Sequence, residues 1–247
     1  MKVLFLTDAH LGAGSDSPDR ERQLCRLIQR HQDGLDMLVI LGDMFDFWFS
    51  YRQVVPRGHL RFLGKLAELA DQGVTIHYYI GNHDMWIFDY LSRETGAVMH
   101  SHPDSLVIDG RRLLLGHGDG LGHLDRRYDL LKIIFRCRLN QWLFSLLPSR
   151  FTFWIANGWS GKSRVSHPYE EQQYLGDDRE GIVLWCKEQI ESTPYDYCIF
   201  GHRHTPFTKE ITSGANSSTY VNVGDFITHR SYALMQDGVV TLLSDEQ

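Results

Sequence analysis

No stretch of this sequence approaches the ~18 consecutive apolar residues of a membrane-crossing helix, so an integral membrane protein is not expected. The apolar run nearest the N-terminus, Val3 to Leu6, is soon interrupted by Asp8 and is too short for the core of a secretory signal. Cysteine is sparse. Cys25, Cys137, Cys186 and Cys198 lie far apart and form no Cys-x-x-Cys pair, which offers no zinc ribbon or disulfide framework and suits a reducing compartment. A cytoplasmic protein is expected, one still able to touch a membrane surface. Basic charge is also lacking: 25 Lys and Arg stand against 31 Asp and Glu, for a net charge of −6. A general nucleic-acid binder needs the opposite balance to displace counterions. No internal repeat or low-complexity tract is present, and nothing suggests a protein partner.

Histidine, by contrast, is abundant, with 13 among 247 residues. A hydrophobic fraction of 43% and a charged fraction of 23% are ordinary for a folded chain long enough to bury a substantial core. Lys2 to Thr7 reads as a buried strand. Ser17-Pro18 opens a helix whose stripe is Leu24, Leu27 and Ile28 and which ends near Gly34. Met37 to Leu41 is a second strand. Leu60, Leu63, Leu66, Ala67 and Ala70 mark a second helix closed by Gly73, and Val74 to Ile80 is a third strand. This β-α-β-α-β order predicts parallel strands with right-handed crossovers. Asp109-Gly110 and Asp237-Gly238 each sit between apolar runs and predict hairpins. Tyr197 to Phe200 and Tyr220 to Val223 read as further strands. The expected fold class is α/β (α+β): a mixed two-sheet sandwich flanked by helices, in one domain spanning residues 1–247.

One block breaks the alternation. Residues 126–164 hold eight Arg and Lys against the single acid Asp129, interleaved with Phe135, Trp142, Phe144, Phe151, Phe153, Trp154 and Trp159. Leu130 to Leu147 reads as one helix with a wide apolar arc and a polar line through Lys132, Arg136 and Asn140. The expectation is a helical lid, residues 121–180, inserted over the sheet ends.

Five motifs stand at or just after strand ends: Asp8-Ala9-His10, Gly42-Asp43-Met44-Phe45-Asp46, Gly81-Asn82-His83-Asp84, Gly116-His117-Gly118-Asp119 and Gly201-His202-Arg203-His204. In open α/β sheets that edge is where ligands bind. Each motif alone is a common turn; five together, in this order, are not. Mixed imidazole and carboxylate donors suit first-row divalent ions such as manganese, iron or zinc better than magnesium or calcium. Two ions about 3.5–4 Å apart, sharing one carboxylate, need roughly eight ligand contacts, and the motifs supply about that number.

The ordered set resembles the calcineurin-like metallophosphoesterase superfamily, with its pattern D-x-H, G-D-x-x-(x)-D, G-N-H-D/E, G-H and G-H-x-H. The resemblance spans nearly the whole chain. It implies that Asp8, His10 and His204 hold one metal, that Asn82, His117 and His202 hold the other, and that Asp43 bridges them. It also implies that His83 lies beside the leaving group, with Asp84 as its orienting partner. Asp46 and Arg203 are expected to support the loops rather than to bind. A closer likeness is to the UDP-2,3-diacylglucosamine diphosphatases of lipid A biosynthesis. Its carriers are Gly42 to Trp48, Arg93 to Ala97, His117 to Leu121, Asp125, Tyr128, Trp142-Leu143-Phe144, Leu147-Pro148, Ile155-Ala156 and Lys162-Ser163.

That likeness implies hydrolysis of UDP-2,3-diacylglucosamine to UMP and 2,3-diacylglucosamine 1-phosphate, by attack of metal-bridged hydroxide at the α-phosphorus, usually with Mn2+. The lid would cover the acyl chains, and the protein would sit peripherally on the inner face of the cell membrane. Asn82, His83, Asp125, Ser163, His167 and His202 become the substrate contacts. Three positions depart from the family: His83 stands where arginine is usual, and His167 and Glu170 stand where Asn and Lys are usual. A broad phosphodiesterase acting on another nucleotide-linked or lipid phosphoester, and a non-catalytic metal-stabilised scaffold at the membrane, are the rival readings.

Overall fold

A computed structural model describes residues 1–122, 126–152, 158, 174, 176 and 179–245. The expected first half is observed. Strands β1 (Val3–Leu6), β2 (Met37–Ile40) and β3 (Thr75–Tyr79) alternate with helices α1 (Ser17–His31) and α2 (Leu60–Asp71). β1 pairs β2 and β2 pairs β3 in parallel, with Val3 opposite Met37 and Met37 opposite Thr75. A short helix α3 (Tyr90–Thr95) leads to β4 (Val98–His100), which extends this sheet beside β3.

The second half supplies β5 (Asp104–Ile108), β6 (Arg111–Gly116), β7 (Tyr197–Phe200), β8 (Phe207–Ser213), β9 (Asn216–Asn222), β10 (Ser231–Gln236) and β11 (Val239–Ser244). Both hairpins form as expected. Asp109 and Gly110 take φ of 49° and 72°, and Asp237 and Gly238 take 52° and 74°, as a two-residue turn matched to strand twist requires. Among the described residues the strands form two sheets, in the orders β11-β10-β1-β2-β3-β4 and β5-β6-β7-β9-β8. The sandwich expected from the sequence is therefore the observed architecture.

The continuous apolar strands are explained by burial on both faces. Alternate residues point to opposite sides of a strand, so Val3 and Phe5 enter one core while Leu4 and Leu6 enter another. The first core lies between the sheets, where Val3, Phe5, Val39 and Leu41 meet Leu115, Ile199, Val221 and Val223. The second lies under α1 and α2, with Leu24, Leu27, Phe62 and Leu66 packed on Leu38 and Ile40. A third packs α6 (Gly181–Ser192) through Ile182, Val183, Cys186 and Ile190 against Phe200 and Tyr220. Helix α6 was not among the elements expected from the sequence.

The expected single helix over Leu130 to Leu147 is two helices, α4 (Arg126–Arg136) and α5 (Arg138–Ser145). Between them Cys137 is extended (φ −66°, ψ 118°), and that break turns the chain. Phe135 and Phe144 are both thereby placed on Trp86, with ring centroids 5.5 and 4.7 Å away. The remainder of residues 121–180 is described only in part. No helix among the described residues is long and apolar enough to cross a membrane.

Two predictions follow from the packing. Phe62 is fully buried in the core under α2, so Phe62→Ala should destabilise the protein by about 3–5 kcal/mol, read as a lower urea midpoint; a loss below ~1 kcal/mol would contradict this packing. At the edge of the first sheet, His77 Nδ1 and His100 Nε2 share a hydrogen bond of 2.9 Å, and the His100 ring stacks on Tyr79. Burial, joined for His77 by the neighbouring His100, holds both imidazoles below their usual range. The unfolded chain, with histidines near ~6.5, then takes up protons first on acidification. The pair's contribution is therefore present above pH ~6.5 and lost as pH falls below it. The urea midpoint should drop between about pH 7 and pH 5, and less steeply in a His77→Gln/His100→Gln variant; identical slopes would refute the assignment.

Candidate metal centre

All five motifs lie where strands end. Asp8 follows β1, Asp43 follows β2, Asn82 and His83 follow β3, His117 follows β6, and His202 and His204 follow β7. Three of these strands belong to one sheet and two to the other. The inter-sheet core holds the two sheets so that these ends meet along one edge. Past the strands the backbones stay tied: Asp8 N donates to Gly42 O (3.0 Å), His10 N to Asp43 O (3.0 Å) and Gly201 N to His117 O (3.1 Å).

The loops hold their side chains in an uncommon backbone conformation. Asp8, His10, Asp43, His202 and His204 all have positive φ, between 41° and 68°. For a non-glycine residue that region costs roughly 1–2 kcal/mol, and such strain concentrates where function requires it. The glycines nearby serve close approach. A Cβ on Gly201 would sit 2.5 Å from Asp8 Oδ2, and one on Gly81 would sit 2.6 Å from Asp43 N.

The side chains converge in two groups. In one, Asp8 Oδ1 faces His204 Nε2 at 3.2 Å and His10 Nε2 at 3.6 Å. In the other, His117 Nε2 faces Asn82 Oδ1 at 3.2 Å and Asp43 Oδ2 at 3.3 Å, with the His202 ring centroid 5.0 Å from that of His117. Asp43 Oδ2 also lies 3.8 Å from His10 Nε2, so one carboxylate oxygen stands between the groups. Each carboxylate is fixed by a backbone N–H from a different loop. His202 N donates to Asp8 Oδ2 (2.8 Å), and His83 N donates to Asp43 Oδ1 (2.8 Å).

The nitrogens facing away from the centre have partners of their own. His117 Nδ1 donates to Leu41 O (2.8 Å), which turns Nε2 toward the two oxygens. His10 Nδ1 lies 3.6 Å from Asp46 Oδ1, and His204 Nδ1 lies 4.0 Å from Asp225 Oδ2. Such outer partners fix the ring orientation and raise the basicity of a metal-binding imidazole.

The electrostatics fit a cation. Asp8 and Asp43 are at most 1% exposed, and their ion-pair partners among the described residues are imidazoles. Burial works to raise the Asp8 carboxyl, but His204 and His10 outweigh it and hold the group well below the usual range. Asp43 is likewise lowered, because His117, His83 and His10 overcome its burial. Burial would depress His10, yet Asp46, Asp8 and Asp43 lift it to about 10, and Asp43 and Asp8 raise His117 in the same way. His202 is pushed down to about 4 by burial and by His117. The carboxylates thus demand positive charge from the groups around them. Asp8 Oδ1 is buried without a hydrogen-bond donor. Divalent ions meet the same demand, and the imidazole, carboxylate and amide oxygen donors suit them.

One expectation is corrected. Asp84 does not orient His83. Its carboxylate is fully buried and accepts from Gly81 N (2.8 Å), Met44 N (3.0 Å) and Tyr78 Oη (2.5 Å), so it pins the second and third motif loops together. Burial and the charge of Asp43 raise it to about 6. The partner of His83 is Asp46, whose carbonyl accepts from Nδ1 (2.9 Å) and whose carboxylate lies 3.8 Å away. Arg203 is clamped by both oxygens of Glu180, each at 3.1 Å. Asp125, Ser163 and His167, expected as substrate contacts, lie outside the described residues. Asp225 was not anticipated, although Gly224-Asp225 after a strand repeats the Gly42-Asp43 signature.

A family model described as calcineurin-like phosphoesterase matches residues 1–206. A protein of Porphyromonas gingivalis (strain ATCC BAA-308 / W83), described as UDP-2,3-diacylglucosamine hydrolase, is 36% identical over 260 residues; the match covers 99% of this chain and 98% of that one. A protein of Aeromonas salmonicida (strain A449) with the same description is 28% identical over 238 residues, covering 96% and 91%. Among solved structures, that of an archaeal phosphodiesterase superposes with a TM-score of 0.50 at 13% identity, covering 98% of this chain and 99% of that one; it is a likeness of fold.

Removing the shared carboxylate tests the centre. Asp43→Asn keeps the shape of the side chain but removes its charge, so metal retained after dialysis should fall below the wild-type content, measured by inductively coupled plasma mass spectrometry. Unchanged metal content in a folded variant would remove Asp43 from the centre.

Proposed function

Because the chain belongs to the calcineurin-like phosphoesterase family, and so is a hydrolase, we propose that it cleaves the pyrophosphate of UDP-2,3-diacylglucosamine, giving UMP and 2,3-diacylglucosamine 1-phosphate. One observation carries the chemistry: a single oxygen, Asp43 Oδ2, faces imidazoles of both groups, at 3.3 Å from His117 and 3.8 Å from His10. The substrate is supported by relatives that match over almost their full length and bear that description.

In this reading Asp8, His10 and His204 hold one ion, Asn82, His117 and His202 hold the second, and Asp43 serves both. Two divalent ions, most readily Mn2+, would activate water at neutral pH and neutralise charge on a phosphoryl oxygen. His83 adds proton control. Its Nδ1 is bonded to the Asp46 carbonyl (2.9 Å), which fixes the tautomer and leaves Nε2 as the atom that meets the substrate. Burial holds this imidazole below its usual range; an anionic phosphoryl group beside Nε2 would favour its charged form, which would stabilise or protonate the leaving group.

The insertion of residues 121–180 serves as the lid. Its helices are anchored on the loops that carry the ligands: Trp86 Nε1 donates to Phe135 O (2.9 Å), Phe144 packs on Phe49 (5.1 Å), and Lys132 pairs with Asp119 (2.5 Å). Away from these anchors Leu130, Ile133, Leu139, Trp142 and Leu146 are each more than half exposed. Apolar side chains held open beside a hydrolytic centre suit acyl chains, whose burial is worth ~0.8 kcal/mol per CH₂. Asp125, Ser163 and His167 are the further substrate contacts of this reading. In this reading the protein works in the cytoplasm, peripherally on the inner face of the membrane, where an acylated substrate would lie.

Purified protein with Mn2+ and UDP-2,3-diacylglucosamine should release UMP, followed by chromatography. Trp142 is 57% exposed, so Trp142→Ala should leave thermal stability unchanged. It should raise KM for the acylated substrate several-fold and spare turnover of bis(p-nitrophenyl) phosphate. Turnover of the small diester without UMP release from the lipid would refute the substrate and favour a general phosphodiesterase.

A further inference from the structure

Arg20 belongs to none of the five motifs. It sits on α1, is 4% exposed, and sends its guanidinium back under the loop that carries Asp8 and His10. Four of its N–H groups are used. Nε donates to Ala9 O (2.7 Å), Nη2 to His10 O (3.0 Å) and Ala13 O (2.6 Å), and Nη1 to Asp16 Oδ2 (2.7 Å). Every acceptor thus lies in residues 9–16.

That loop has a particular problem. Asp8 (φ 47°) and His10 (φ 41°) are both left-handed, with one ordinary residue between them. Such a path cannot continue a strand ladder on both sides. The N–H groups of Asp8, His10 and Leu11 are taken by carbonyls of the Gly42-Asp43-Met44 loop (2.8–3.0 Å), which leaves carbonyls of the same turn facing α1. Buried carbonyls need donors, and a planar guanidinium presents five N–H groups in a rigid fork where a lysine ammonium has only three at a single point. The backbone conformation that aims Asp8 and His10 at one another is therefore held from one side by the neighbouring loop and from the other by Arg20.

We propose that Arg20 is the positioning residue of the Asp8/His10/His204 metal site, setting its affinity through the backbone without touching the ion. The inference rests on the two-metal reading, and its scope is one of the two sites. His117 and His202 belong to loops after β6 and β7, whereas all of Arg20's acceptors lie in the loop after β1, so the second site keeps its affinity when Arg20 is changed.

The test is a Mn2+ titration of metal-stripped wild type, Arg20→Lys and Arg20→Gln, followed by calorimetry and by electron paramagnetic resonance. The wild type should take two ions and show a spin-coupled pair. In Arg20→Lys one ion should bind as before and the other roughly 10–100-fold more weakly, the usual effect of losing an outer-shell partner. At Mn2+ levels that saturate the wild type, the variant should then show an uncoupled mononuclear signal. Should Arg20→Gln fail to fold, Arg20→Lys keeps the charge and decides the matter, with Asp16→Asn giving a smaller shift in the same sense. Two ions bound with wild-type affinity in Arg20→Lys overturn the proposal, as does equal weakening of both. A wild type that binds no Mn2+ overturns the two-metal reading itself and this role with it.

Discussion

Asp8 and Asp43 are carboxylates that water scarcely reaches, and removing such groups from water costs several kcal/mol each unless opposite charge and hydrogen bonds answer them. Much of the surrounding structure is that answer. Imidazoles from three loops face the two groups, and backbone N–H groups of His202 and His83 donate to them. The left-handed backbones that permit this geometry add their own strain. Without positive charge at the centre the arrangement is self-defeating; divalent ions there would answer the carboxylates.

The sandwich exists, in functional terms, to bring two sets of strand ends together. Phe5 and Leu41 on one sheet meet Leu115 and Ile199 on the other, and the registers of β1 with β2 and β6 with β7 fix how far each loop projects. A one-residue slip in either pairing would turn side chains to the opposite face. The outer ring nitrogens of His117, His10 and His204 face Leu41 O, Asp46 and Asp225 respectively. Helices α4 and α5 join the same scheme, because Trp86 and Asp119, which hold them, lie on the loops of Asn82 and His117.

Much of this was legible in the chain. The strands β1, β2 and β3 were readable because each is a short apolar run ending in a Gly- or Asp-rich loop, and both hairpins because Asp-Gly favours positive φ at two successive positions. The ligand types were readable because imidazole and carboxylate at strand ends have few other uses. Other parts were not. Helix α6 was not among the expected elements, since no usual cap residue marks its start. The break at Cys137 has no Pro or Gly to announce it and follows from packing Phe135 and Phe144 on one tryptophan. Asp84 looked like the partner of His83 because it is next in sequence, but adjacent residues diverge in a tight turn, and its oxygens point to Gly81, Met44 and Tyr78.

The sequence by itself determined the strand ends, the turns and the set of donor groups, since each of these depends on a few neighbouring residues and their backbone preferences. Only the tertiary structure decided which donors share a site, that Asp43 stands between them, that Asp46 rather than Asp84 faces His83, and that Arg20 braces a loop whose motif does not include it. The physical reason is distance along the chain. Asp8 and His202, joined by a 2.8 Å hydrogen bond, are 194 residues apart, and contacts of that separation are set by how two sheets pack, which no local pattern records.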